Sequence, residues 1–158
     1  RDEVVAAYDY STSNYRNING WLRDSSHPVS PQIPKTVDNL NSLLDKLPSH
    51  EGTVYRGTQV PTETLKQALR SGVYSDPAFL SSSTDGGVAR SFMQSGYPDP
   101  GSTKVLFEID GHSGYSIQRM SQIQHEAEVL FKSGTKFDIL DYRIDPYTGY
   151  YFIRMAEQ

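Results

Sequence analysis

Apolar residues fall at helical intervals through the first fifty positions and at strand intervals through most of the remainder. Val4, Val5 and Tyr8, then Tyr15, Ile18, Trp21 and Leu22, recur three or four residues apart, the spacing that lines one face of a helix. The turn-forming run Ser11-Thr12-Ser13 separates the two sets. Pro28, Pro31 and Pro34 make the stretch from Ser25 onward a loop. Val37, Leu40, Leu43, Leu44 and Leu47 then form one apolar stripe that ends before Pro48.

From Thr53 the period shortens. Thr53-Val54-Tyr55-Arg56 reads as a strand and Pro61 to Ser71 as a helix, with proline near its first turn and Gly72 as its cap. Ala78-Phe79-Leu80-Ser81-Ser82-Ser83 reads as another strand. A short helix over 87–94, closed by Gly96, precedes four more strands at 104–109, 127–132, 136–142 and 150–154. Helices first and strands later predict an α+β domain with mainly antiparallel sheet, helical over 1–50 and β-rich over 51–158.

Composition narrows the class of partner. The 158 residues carry 15 Lys+Arg against 19 Asp+Glu, a formal charge of −4, with no basic run of the kind that neutralises nucleic-acid phosphates. No apolar stretch reaches the roughly 20 residues of a membrane-spanning helix. With no Cys there is no disulfide, thiol nucleophile or thiolate metal ligand. The four histidines, His27, His50, His112 and His125, show no metal-binding spacing, so no metal is expected. Apolar residues make up only 36% of the chain, but eleven Tyr and six Phe supply large buried areas. The chain begins at Arg1 without a signal pattern, which reads as a single domain cut from a longer protein.

The most informative chemistry lies in Glu126-Ala127-Glu128-Val129-Leu130-Phe131. On a strand, Glu126, Glu128 and Leu130 share one face while Ala127, Val129 and Phe131 take the other. Such a strand runs from a cleft into a core, although two carboxylates at a strand end also fit plain solvated charges. Arg56 interrupts an apolar strand, and Gly57 beside it allows close approach to the backbone. Ser81, Ser82 and Ser83 put hydroxyls where a strand would carry apolar residues, which an edge strand also explains. Tyr15 and Asn19 share a helix face, with Tyr10 five residues before Tyr15.

An Arg strand, a Ser-x-Ser strand and a Glu-x-Glu strand in this order resemble the R-S-E class of arginine-modifying mono-ADP-ribosyltransferase toxins. Gly111-His112-Ser113-Gly114, Ile117, Ser121, Glu126, Glu128 and Gly134-Thr135-Lys136-Phe137 are similar to the family's stretch through its catalytic loop. Tyr10, Tyr15 and Asn19, followed by Leu22-Arg23, resemble the NAD-contacting helix of actin-modifying toxins, and Phe92 is placed like the nicotinamide-side aromatic. The resemblance implies helices packed beside two facing antiparallel sheets, with NAD as co-substrate in a central cleft. It implies Glu128 on the nicotinamide ribose, Ser81 holding Glu128, Arg56 on the diphosphate, and Glu126 orienting and deprotonating the acceptor guanidinium. Gly57, Phe92, Tyr10, Tyr15, Asn19 and Arg23 complete the implied NAD contacts. Gln122, Ile123, Gln124 and His125 would form the target-recognition loop, which here lacks the aromatic that many relatives carry, and Ser82 stands where Thr is usual.

The implied activity is transfer of ADP-ribose to an arginine of a target protein, actin first among guesses, by a monomeric catalytic piece of a secreted toxin or effector acting in a target cell's cytosol. An NAD glycohydrolase on the same scaffold is the alternative, with a non-catalytic protein-binding module behind it. A Ser-hydrolase elbow is missing, since Gly111-His112-Ser113-Gly114 is one residue short of Gly-x-Ser-x-Gly. Glycosidase carboxylates flank a bond from separate elements, unlike this i, i+2 pair.

Overall fold

The computed structural model describes residues 3, 5–6, 10, 15–24, 32–46, 49–95, 99–116 and 128–158. Helix α1 spans Tyr15–Arg23 and α2 spans Gln32–Lys46. The second starts earlier than its prolines suggest. Pro34 lies in the first turn, where a backbone N–H has no helical acceptor and its loss costs nothing. The expected stripe is buried, with Ile33 and Thr36 added to Val37, Leu40, Leu43 and Leu44. Leu47 lies outside the described residues.

Strand β1 (Ser49–Pro61) leads into α3 (Thr62–Ser71), which ends as its sequence predicts. Gly72 takes φ 77° and returns its N–H to the Ala68 carbonyl at 2.8 Å. Then follow β2 (Val73–Ser75), β3 (Leu80–Ser83), α4 (Gly86–Ser95) and β4 (Ser102–Ser116). The chain closes with β5 (Glu128–Phe131), β6 (Lys136–Ile144) and β7 (Tyr151–Glu157).

The strands hydrogen-bond in the order β1-β3-β5-β4-β7-β6-β2, and β1 also pairs with β4 along nearly its whole length. The domain is α+β, and the two expected sheets are arms of one hydrogen-bonded system that shares β1 and β4. Its β4–β7 pair is parallel. The arms face each other across the main core, where Phe131 of β5 meets Phe137 of β6 edge-on at 5.2 Å between centroids. A second core lies under the helices, where Tyr10, Ile18, Leu40 and Leu44 cover Phe79 and Leu130. The alternation expected of β5 is present: Val129 and Phe131 enter the main core, Leu130 the helical one, and Glu128 lines a cleft.

β4 continues seven residues past its expected end at Ile109 because glycines let it lie flat on large neighbours. A Cβ at Gly114 would sit 2.7 Å from Val129 Cγ1, and one at Gly111 2.9 Å from Phe131 Cζ. The Glu157 carboxylate accepts the N–H groups of His112 and Ser113, each at 2.9 Å, and the Ser113 hydroxyl. On the other side of the sheet, α4 rests directly on β1 at Gly57, where a Cβ would lie 1.7 Å from the Ala89 carbonyl oxygen. The close approach that Gly57 permits is thus made by a helix backbone. Gly57→Ala is expected to cost at least ~2 kcal/mol by overpacking. Gly20→Ala, with open space around it on α1, is expected to gain about 0.5–1 kcal/mol. Urea midpoints of the two variants check this, and equal midpoints contradict the backbone contact.

Candidate active site

β1 and β3 pair only at Tyr55↔Ser83, and beyond that point the strands part. The gap is a cleft of about 870 Å³. β1 contributes Arg56, Gly57 and Thr58 to its wall, β3 its three serines, and β5 contributes Glu128. Asn19 and Arg23 enter from α1, Tyr74 and Asp76 from β2 and the turn after it, and Val88 and Phe92 from α4.

Arg56 bridges the parted strands. Its Nη1 donates to the Ser81 carbonyl at 2.9 Å, while its buried Nε has no hydrogen-bond partner among the described residues. The guanidinium carries a permanent positive charge into the cleft lining, which suits an anionic occupant. Ser82 turns away and donates to the Val129 carbonyl at 2.7 Å, which ties β3 to β5. Register places Glu128 directly opposite Ser83, with Ser81 on the adjacent diagonal, opposite Leu130.

Behind Ser81 stands a buried polar relay. The Phe79 N–H donates to Asn19 Oδ1 at 3.1 Å, which fixes the amide so that Nδ2 donates to the Tyr10 phenolic oxygen at 3.0 Å. Tyr10 is 2% exposed and shares a 3.4 Å hydrogen bond with Ser81 Oγ. Burial raises the Tyr10 pKa, and the nearby Glu128 charge acts in the same direction, against the bonds from Ser81 and Asn19 and the Arg56 charge. The phenol therefore keeps its proton and can offer it to Ser81. Tyr10 and Asn19 do line the cleft, but their polar atoms brace the strand of Ser81.

Arg23 makes a bidentate pair with Asp76: Nε to Oδ1 at 3.0 Å and Nη2 to Oδ2 at 2.8 Å. Sequence reading missed Asp76, whose only signal was an ordinary Asp-Pro turn. Phe92 is 54% exposed at the cleft edge. Ser81, Arg56, Gly57 and Glu128 thus share one cavity with Phe92, Tyr10, Asn19 and Arg23. The Tyr15 side chain, Glu126, and the stretch Gln122, Ile123, Gln124 and His125 lie outside the described residues.

The fold is that of the bacterial ADP-ribosyltransferases. The solved structure of ADP-ribosyltransferase Vis in complex with agmatine superposes with a TM-score of 0.87 at 32% identity, covering 100% of this chain and 74% of that one. Exoenzyme S from Pseudomonas aeruginosa shares the fold at a TM-score of 0.79 and 23% identity, over 99% of this chain and 73% of that one. The chain belongs to the ADP-ribosyltransferase exoenzyme family, whose model matches residues 1–150. It is 35% identical over 157 residues to Mav of Mycobacterium avium, covering 99% of this chain and 18% of Mav. It is 30% identical over 141 residues to the NAD(+)--protein-arginine ADP-ribosyltransferase Tre1 of Serratia proteamaculans, covering 89% of this chain and 29% of Tre1. The chain therefore spans less than a third of either relative.

Burial pushes the Asp76 carboxyl up, but the Arg23 hydrogen bonds, the Ala78 N–H and the charges of Arg23 and Arg56 outweigh it and hold the pKa below its ordinary 3.8. A depressed carboxyl stabilises the fold above its unfolded pKa and loses that contribution as pH falls through the folded value. The Tm difference between wild type and Asp76→Asn is expected to be constant near neutrality and to shrink below about pH 4. A difference independent of pH contradicts the assignment.

Proposed function

We propose that this domain transfers ADP-ribose from NAD to an arginine side chain of a protein, releasing nicotinamide. The observation that carries the proposal is that Arg56, Ser81 and Glu128, from three separate strands, line one cleft. The names of relatives as arginine ADP-ribosyltransferases support the acceptor type. NAD fits the residues present, because Arg56 lines the cleft and its planar, permanently charged guanidinium suits a diphosphate.

The bond that breaks joins nicotinamide to the ribose. Nicotinamide leaves with the bonding pair, which neutralises its own ring, so no acid is needed. The ribose carbon becomes cationic, and the Glu128 carboxylate stabilises that charge as it develops. A nitrogen of the acceptor guanidinium then bonds to the same carbon and gives up a proton. A free guanidinium has a pKa above ~12, so it needs a base, and that role falls to Glu126. The spacing that suggested actin does not select a partner, because Tyr10 and Asn19 spend their polar atoms on Ser81 and Phe79. The name secreted exoenzyme S, carried by one relative, supports a secreted protein, and we place its action in a target cell's cytosol.

The test is labelled NAD in a eukaryotic lysate, followed by identification of the modified side chain. Wild type is expected to label protein on arginine. Glu128→Ala should lose both labelling and nicotinamide release by about 10²-fold or more. Glu126→Gln should keep nicotinamide release and lose labelling. Nicotinamide release without labelling in wild type identifies a glycohydrolase and overturns the transfer reading.

A further inference from the structure

We propose that Asp76 is a positioning residue for NAD, holding the Arg23 guanidinium at the cleft wall so that its remaining edge meets the anionic part of the substrate. The inference rests on the NAD reading above, and it assigns a role to a carboxylate that the transfer chemistry leaves unused.

Asp76 is fixed independently of Arg23. Its Oδ1 accepts the Ala78 N–H at 2.9 Å, and its backbone carbonyl accepts the Gly134 N–H at 3.0 Å. Its side chain is 13% exposed, while that of Arg23 is 46% exposed. The carboxylate is therefore the anchor and the guanidinium the group being placed. Arg23 is the last residue of α1, on a stem with several rotatable bonds, and without a partner it would lose that freedom on meeting a ligand. The pair uses Nε and Nη2, whereas Nη1 takes no part in it. A planar fork clamped along one edge presents the other in a set orientation, so the ordering cost is met before binding. Arg56 lines the same cleft, and its positive charge also favours the ionised Asp76.

Simple charge and positioning predict opposite signs. Removing a negative charge from a cleft that binds a diphosphate should tighten binding, whereas releasing Arg23 should weaken it. NAD binding to the 158-residue chain is measured by calorimetry, alongside Tm, for Asp76→Asn, Arg23→Ala, the double variant and the exchange Arg23→Asp/Asp76→Arg. The expected result is about a tenfold rise in Kd for each single variant, the loss of one oriented charge-assisted bond. The double variant should be no worse than either single one. The exchange should recover only part of the Tm, because the ion pair is remade while the Ala78 N–H loses its acceptor, and it should not recover NAD affinity, because the guanidinium now sits on the opposite element. Equal or tighter binding by Asp76→Asn overturns the proposal, as do additive single effects or unchanged binding by Arg23→Ala. If the exchange does not fold, the three other variants decide. If wild type does not bind NAD, the reading of the site fails and this inference with it.

Discussion

Past Tyr55 and Ser83, the backbones of β1 and β3 separate, and the Arg56 side chain replaces the missing ladder by donating to the Ser81 carbonyl at 2.9 Å. A sheet that parts without such a bridge would expose two unsatisfied edges or close up. Here one guanidinium bridges the two walls and keeps its permanent positive charge in the lining of the cleft. The position of Arg56 follows from β1 itself, which stays paired to β4 on its other side through Pro61. Rigidity on one edge and separation on the other create the cleft.

The helical layer serves the same geometry from behind. Asn19 uses both ends of its amide, one on the Phe79 N–H and one on the Tyr10 phenol, and Tyr10 carries the chain on to Ser81. These atoms are buried, and each is matched to a partner, which is what a polar group needs when withdrawn from water. Tyr10 also packs edge-on against Phe79 at 5.4 Å, so the brace is apolar as well as hydrogen-bonded. The helices therefore position one serine of the cleft, and a residue that reads as a ligand contact in sequence can owe its place to support.

Much of this was legible in the chain. The 3.6-residue stripe of α2, the Gly72 cap and the alternation of Glu128 to Phe131 follow from local rules, and each element formed where its pattern lay. The order of Arg56, Ser81 and Glu128 pointed to one site because a family resemblance linked residues far apart in sequence. Contacts made by tertiary packing were not legible. β2 is three residues long and is set by pairing with β6, and the end of β4 depends on glycines whose neighbours come from β5. The Asp76-Pro77 sequence marks a turn but not a site, because the partner Arg23 lies 53 residues away. Glu126, two residues before Glu128, lies outside the described residues, so its place in the site is still read from sequence alone.

The cleft between β1 and β3 is the seat of the substrate in this account, and amide hydrogen exchange with and without saturating NAD tests that most directly. Added protection is expected in residues 56–60 and 75–83 and around Glu128, with none along the β6–β7 hairpin on the opposite arm. Protection confined to that hairpin, or an unchanged pattern in the cleft strands, would contradict the account.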